Sequence, residues 1–384
     1  MQTNQDINRS SLPKIAIYYP YFLGGGAEAV ALWMLEALKD NYDLTLFTFS
    51  DVDFNKLNLM YETHLSNELI KTQTVFPKSL NHFSNFLTSN NPHFRQFSLH
   101  SVLRLIKSKR DDYDLLISAY NAVDLGKPGL QYIHWIKVVE GEKLAQKYYN
   151  KLSDFSVERL KQNISLVNSQ VVQEQVSLNY NIESTVVYPP VVIQTHDIPW
   201  EEKEDAFICS GRLVRAKQPH KAIQILKAVR EKGFNVKLYL TGGGGGGQQD
   251  YIRFLNKMIK ENSSWVKLCK NMSYEDYTKV LYNCKYGLHY KQEPFGISVA
   301  EMVKAGVIPF VKSSGGQIEI VGKDNQDLFY KSDEDAVNAI VKVLQNQDKI
   351  IQIRQSLKLQ KDLFSTDNFM SQIKRIVQQN LNRI

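Results

Sequence analysis

Along most of the chain, short β-rich apolar runs alternate with stretches whose apolar residues recur at three and four positions. That alternation is the mark of a parallel α/β architecture. It begins with a strand "KIAIYYP" (14–20), a turn "YFLGGG" and a helix "AEAVALWMLEALKD". "YDLTLFTF", "YDLLISAY" (113–120), "LQYIHWI" (130–136), "ISLVNSQ" (164–170) and "STVVYPP" (184–190) read as later strands. Pro189-Pro190 and the polar, acidic "THDIPWEEKED" then interrupt the pattern as a linker. It restarts with strand "AFICSG", helix "PHKAIQILKAVREKG", strand "NVKLYLTG" and helix "QQDYIRFLNKMIKE", followed by strands "YGLHY" and "VIPFV". A chain of 384 residues is too long for one ordinary core. The expected fold class is α/β, with two Rossmann-like domains of mainly parallel sheets, residues 1–190 and 191–365.

Composition narrows the function classes. With 43% hydrophobic and 23% charged residues the chain is globular rather than disordered. No apolar run approaches a membrane span, and the start "MQTNQDINRSSLPKIAIYYP" has no signal-peptide core. Cys209, Cys269 and Cys284 have neither zinc spacing nor a redox pair, so a cytoplasmic protein is expected. The net charge of +7 suits anionic ligands or an anionic membrane surface. No zinc finger, aromatic RNA-binding signature or dense basic tract points to nucleic acid. The basic stretch "FRQFSLHSVLRLIKSKR" (94–110) offers a peripheral membrane helix gripping lipid through Arg104, Lys107 and Lys109. It reads more readily as an ordinary surface helix.

Three clusters stand at strand-to-helix turns, where open α/β sheets bind ligands. Gly24, Gly25 and Gly26 let a backbone approach a ligand, with a helix N-terminus behind them to attract an anion. "SGRLVRAKQPH" places Arg212 and Lys217 before a helix that Pro219 can start, and two cations there suit a diphosphate. Arg215 is an alternative for either. "QEPFGISVAEMV" (292–303) sets Glu293 before a helix and Glu301 inside it. Pro294 and Gly296 disfavour one continuous helix through both glutamates. Ser298 and Glu301 have the spacing of a capping box, and Gly306 is placed to end the helix.

These residues resemble the retaining glycosyltransferases of family 4, which have the GT-B fold. The likeness rests on Glu293-Pro-Phe-Gly-Ile-Ser-Val-Ala-Glu301, and extends through "SGRLVRAK", "VVYPPV", "LVNSQ" and "SSGGQIEIV" to the amino-terminal "GGGAEAV". It implies two domains facing across a cleft, with a last helix, within 366–384, crossing back to the first. It also implies a donor diphosphate neutralised by Arg212 and Lys217. The amides of Phe295, Gly296 and Ile297 would meet sugar and phosphate, with Gly25 and Gly26 added as nucleotide contacts. Glu293 would face the sugar hydroxyls and Glu301 the ribose. His134, in "QYIHWIK", resembles a histidine near the transferred sugar. Gln218 stands where many members have glycine, and the six glycines 242–247 lengthen a turn that is shorter elsewhere.

The function implied is transfer of a hexose, glucose or a related sugar, from a UDP-sugar to a saccharide or lipid-linked saccharide. No cofactor or metal is expected. GDP-mannose is the alternative donor. Two rivals belong to other classes: an NAD-dependent oxidoreductase, with Asp51 or Asp53 on the ribose, and a non-catalytic sugar-nucleotide binder. Asp51-Val-Asp53 follows a second strand and reads as a polar turn rather than a metal site.

Overall fold

The structure is a computed structural model that describes residues 11–77, 81–135, 144–193, 198–243 and 249–381. It divides into two compact units, one of Met1–Pro190 with Thr366–Ile384 and one of Val191–Ser365. The six-glycine segment falls largely outside the described residues.

In chain order the first unit contains β1 (Lys14–Tyr18), α1 (Gly26–Leu38), β2 (Asp43–Thr48), α2 (Phe54–Tyr61), β3 (Ile70–Thr74), α3 (Asn81–Asn90) and α4 (Pro92–Ser108). It continues with β4 (Leu115–Ser118), β5 (Leu130–Ile133), α5 (Leu144–Leu152), α6 (Val157–Lys161), β6 (Ile164–Val167), α7 (Gln170–Tyr180) and β7 (Ser184–Val186). All seven strands are parallel, in the order β3-β2-β1-β4-β5-β6-β7. Because helices cover both faces of such a sheet, its central strands are largely apolar, with buried Ser118 in β4 and Gln131 in β5 as polar exceptions. Ile15, Ala16, Ile17 and Tyr18 of β1 are wholly buried.

The second unit contains β8 (Glu204–Ser210), α8 (Pro219–Glu231), β9 (Lys237–Gly242), α9 (Gln249–Glu261), β10 (Val266–Lys270), α10 (Tyr274–Asn283) and β11 (Cys284–His289). After these come α11 (Ile297–Lys304), β12 (Ile308–Lys312), α12 (Gln317–Val321), β13 (Phe329–Tyr330), α13 (Asp333–Leu344) and α14 (Gln347–Gln360). Its strands are also parallel, in the order β10-β9-β8-β11-β12-β13. The last helix, α15 (Thr366–Asn380), belongs to the first unit. There it packs beside α1 through buried Phe369, Ile373, Ile376 and Val377.

In each sheet the order reverses beside the unit's first strand, between β1 and β4 and between β8 and β11. Loops leaving the two strands there run to opposite faces, which opens a crevice at the carboxyl ends. The glycine turn before α1 leaves the first of these reversals, and the loops of Lys217 and Glu293 leave the second.

One expectation about the first unit needs correction. Lys107, proposed as a lipid contact, is buried: its ammonium donates to Asp124 Oδ2 (2.6 Å) and to the carbonyls of Ser153 (2.9 Å) and Asp154 (2.7 Å). Lys109 donates to Gln73 Oε1 (3.0 Å). The apolar spacing of α4 turns Lys107 inward with Val102, Leu103 and Ile106, so of the three cations Arg104 alone is exposed. Among the described residues no helix is long and apolar enough to cross a membrane.

Candidate functional site

At the carboxyl end of β8 the backbone is shaped by glycines. A Cβ on Gly242 would lie 1.9 Å from the Gly211 carbonyl oxygen, so the ends of β8 and β9 touch at a distance open to glycine alone. Gly211 itself, at φ +147°, faces open space. Arg212 follows, exposed, and a short turn over Arg215–Lys217 leads into α8. Gln218 takes the left-handed conformation at φ 52°, and Pro219 opens the helix. That positive φ is the physical reason a glycine would sit easily at position 218. Arg215 lies over the Tyr251 ring, 5.2 Å from its centroid, and so is engaged toward α9.

The loop leaving β11 is held from both sides. The Glu293 amide donates to Gln317 Oε1 (3.0 Å), and its carbonyl accepts from the Gly316 amide (2.9 Å). Gln317 is fully buried, and a Cβ on Gly316 would fall 2.1 Å from the Pro294 carbonyl oxygen. The turn at 315–317 is thus a backbone cradle for Glu293 and Pro294. Phe295 is buried against Phe364, and Gly296, at φ 110°, turns the chain into α11.

Across the switch point, the Lys217 ammonium donates to Glu293 Oε1, joining the two loops. Both side chains keep some solvent contact, 25% for Lys217 and 18% for Glu293. On the far side of Glu293 lies His289, the last residue of β11 and 6% exposed. Its Nε2 is 4.0 Å from Glu293 Oε1, and its Nδ1 is 3.5 Å from Ser298 Oγ. Burial lowers this imidazole to about 4, with Lys217 acting in the same direction and Glu293 opposing. It is neutral at physiological pH.

The expected capping box is not formed. Because Gly296 can adopt a positive φ, the helix starts at Ile297, and Glu301 falls in its second turn. Glu301 Oε2 instead accepts from the Tyr277 hydroxyl (2.7 Å), and burial raises this carboxyl to about 7. Tyr277 also reaches Ser210 at the end of β8, which ties Glu301 to the same strand end as Arg212. Gly306, at φ +71°, follows the end of α11 as expected. Phe295, Gly296, Ile297, Glu293, Lys217, Arg212 and Glu301 therefore all lie on the loops and helix starts that border β8 and β11.

The remaining expected residues lie in the first unit. Gly24 and Gly25 have positive φ before α1, but their amides are already used: Gly24 donates to Glu28 Oε2 (2.9 Å) and Gly25 to the Tyr61 hydroxyl (3.1 Å). Glu28 is 2% exposed, and desolvation raises its carboxyl. Gly26 follows them as the first residue of α1. The Glu28 carboxyl is thus seated in the turn that carries Gly25 and Gly26. His134 lies just past β5, where its Nε2 donates to the Ala119 carbonyl (2.9 Å) and its amide donates to Asn121 Oδ1 (3.1 Å). That bond fixes the tautomer with Nδ1 unprotonated, and burial lowers the ring to about 4. Asp53 caps α2 by accepting from the Lys56 amide (3.1 Å), so it is committed to the helix.

Residues 193–360 match the family model described as glycosyl transferases group 1, within the unit that carries the Lys217–Glu293 contact. Among curated proteins, the chain is 27% identical over 159 residues to a Dictyostelium discoideum GDP-Man:Man(3)GlcNAc(2)-PP-Dol alpha-1,2-mannosyltransferase, covering 40% of this chain and 32% of that one. It is 28% identical over 207 residues to the Homo sapiens protein of the same name, covering 48% and 42%. The matched stretch thus spans less than half of those relatives' own length. Among solved structures, Anabaena HepE in complex with UDP and glucose superposes with a TM-score of 0.69 at 17% identity, covering 96% of this chain and 100% of that one. Thermosynechococcus elongatus sucrose-phosphate synthase gives 0.67 at 16%, covering 97% and 100%. The fold is that of the GT-B glycosyltransferases.

Proposed function

We propose that this chain is a retaining glycosyltransferase that moves a hexose from a nucleoside diphosphate sugar to a hydroxyl of a saccharide or lipid-linked saccharide. The observation that carries the reading is the Lys217–Glu293 contact at the β8/β11 switch point, inside the region matched by the glycosyl transferase model. It sets a cation for phosphate beside a carboxylate for sugar hydroxyls, with the exposed Arg212 on the same turn. The relatives by sequence favour GDP-mannose as donor over the UDP-sugar first expected.

In this scheme the bond between the sugar's anomeric carbon and the diphosphate oxygen breaks, while the acceptor oxygen bonds to that carbon from the same face. The acceptor's proton passes to the departing phosphate oxygen. Arg212, Lys217 and the start of α11 stabilise the charge that develops on the diphosphate. Glu293 orients the sugar, and Glu301 receives the ribose hydroxyls. Positive charge for the leaving group comes from side chains and amides, so turnover without a metal is expected.

A thermal-shift panel of GDP, UDP and ADP tests the reading. Ligand at 100 times its dissociation constant adds about 2.7 kcal/mol of stability. GDP should give the largest shift, and donor turnover should persist in excess chelator. No shift with any of the three would overturn the reading, and activity lost to EDTA and restored by Mn²⁺ would overturn its metal-free form.

A further inference from the structure

His289 presents a buried nitrogen that the protein itself does not satisfy. Among the described residues Nε2 has no hydrogen-bond partner, although almost no solvent reaches it. Taking a polar atom out of water without giving it a partner is costly, and native proteins rarely do so without a use. The ring is not loosely held. β11 pairs with β12 at His289 and Val311, and the His289 carbonyl accepts from the buried Tyr330 hydroxyl (2.8 Å).

The atom that Nε2 faces is Glu293 Oε1, at 4.0 Å. That is too far for a hydrogen bond between them, but it suits an oxygen about 2.8 Å from each. A hydroxyl fits chemically, since it can donate to the carboxylate while accepting from an imidazole N–H. An ammonium has no acceptor to offer, and a carboxylate or phosphate would face Glu293 as a like charge. The Lys217 ammonium also donates to Oε1.

We infer that His289 Nε2 and Glu293 Oε1 together hold one hydroxyl of the donor's sugar, and that Lys217 occupies that carboxylate oxygen until a diphosphate draws it away. The inference rests on the transferase reading and adds to it the residue that selects the sugar. In the tautomer in which Ser298 Oγ donates to Nδ1 (3.5 Å), the ring proton lies on Nε2. A neutral imidazole in that state recognises a hydroxyl and contributes nothing to binding the nucleotide. His289 is therefore a specificity residue for the sugar alone.

The test is calorimetric titration of GDP-mannose, UDP-glucose and their monodeoxy analogues, with GDP and UDP as sugar-free controls. Wild type should lose about ten-fold in affinity at one deoxy position, the size of one hydrogen bond to a buried partner. His289→Asn keeps a polar group near Nδ1 but none at Nε2. It should bind the intact donor about ten-fold more weakly and ignore the deoxy change at that position. His289→Gln reaches the Nε2 position and should recover most of the loss. All variants should bind GDP and UDP as wild type does, which also shows that the site has folded. A deoxy penalty of the same size in His289→Asn and wild type would overturn the inference, as would an equal loss for the sugar-free nucleotides. Absence of all nucleotide binding in wild type would sink the transferase reading and this inference with it. Binding with a flat deoxy series would sink the inference alone.

Discussion

Lys107 with Asp124 in the first unit, and Lys217 with Glu293 in the second, are the same chemical pair under opposite conditions. Lys107 uses all three ammonium protons on Asp124, Ser153 and Asp154. Asp124 is wholly buried and also accepts from Arg159 and from the amides of Ser156 (2.8 Å) and Gly126 (2.9 Å). Burial pushes that carboxyl up, but Arg159, Lys107 and Ser156 together outweigh it and hold it below the usual value. The Lys217 pair is half-buried, with an unsatisfied imidazole nitrogen beside it. The first arrangement is complete and fixes the α5–α6 junction to α4. The second keeps hydrogen-bonding capacity in reserve, which a ligand can use.

Removing one partner is the strongest way to break this comparison. Losing one member of a buried ion pair costs about 3–5 kcal/mol, because the other charge is left uncompensated. Asp124→Asn should destabilise the first unit by that order, read as a lowered denaturant midpoint. Glu293→Gln makes the same chemical change at a partly solvated pair, where about 1 kcal/mol or less is expected. Equal losses in the two variants would show that the pairs do not differ in kind.

The next effect belongs to ligand binding. Hydrogen bonds to a charged group contribute roughly 1.5–3 kcal/mol. Arg212→Ala and Lys217→Ala should therefore each weaken GDP and UDP about ten-fold or more. At the first unit's glycine turn, Glu28→Gln should leave nucleotide affinity within about two-fold of wild type, since the Gly24 and Gly25 amides are satisfied internally. Unchanged affinity in both cation variants would remove the diphosphate clamp. A large change in Glu28→Gln would return the glycine turn to the nucleotide site.

The sequence reveals the architecture through its two-sided apolar runs, and it misses strands where that signal is weak. β3, β10 and β13 are absent from the sequence reading, and each is an edge of its sheet. β3, "IKTQT", buries only Ile70, and β13 is two residues long. An edge strand lacks one neighbour and with it much of the pressure to be apolar. At the site, Arg212, Lys217 and Glu293 can be picked out because charged residues at strand exits are chemically conspicuous. His289 is not, since a histidine inside "YGLHY" looks like any strand residue until its neighbours are known. At Gly25 the local spacing suggests an open amide, and Tyr61, 36 residues away, engages it. The capping box fails because the conformation of Gly296, not the Ser298–Glu301 spacing, decides where α11 begins.

The smallest effect expected concerns Glu301, and it separates the two glutamates of that segment. Glu293 is partly solvated and paired with a cation, whereas Glu301 is raised by burial to about 7 from an ordinary value of 4.5. A carboxyl that holds its proton more tightly when folded favours folding at low pH. That contribution is complete below about pH 4.5, falls as pH rises, and is gone above about pH 7. Each unit of displacement corresponds to about 1.4 kcal/mol, but Glu301 keeps some solvent contact, so about 1 kcal/mol is the expected size. Wild type should accordingly lose about that much stability relative to Glu301→Gln between pH 5 and pH 8, read from urea unfolding at both values. Parallel pH profiles would show that burial does not perturb this carboxyl. If the profiles do diverge, ribose hydroxyls that donate to the ionised carboxylate should lower its value on binding. GDP titrated at pH 6.5 in two buffers of different ionisation enthalpy should then show proton release from wild type and none from Glu301→Gln. Release of the same size from both proteins would place the titrating group elsewhere and remove Glu301 from the ribose.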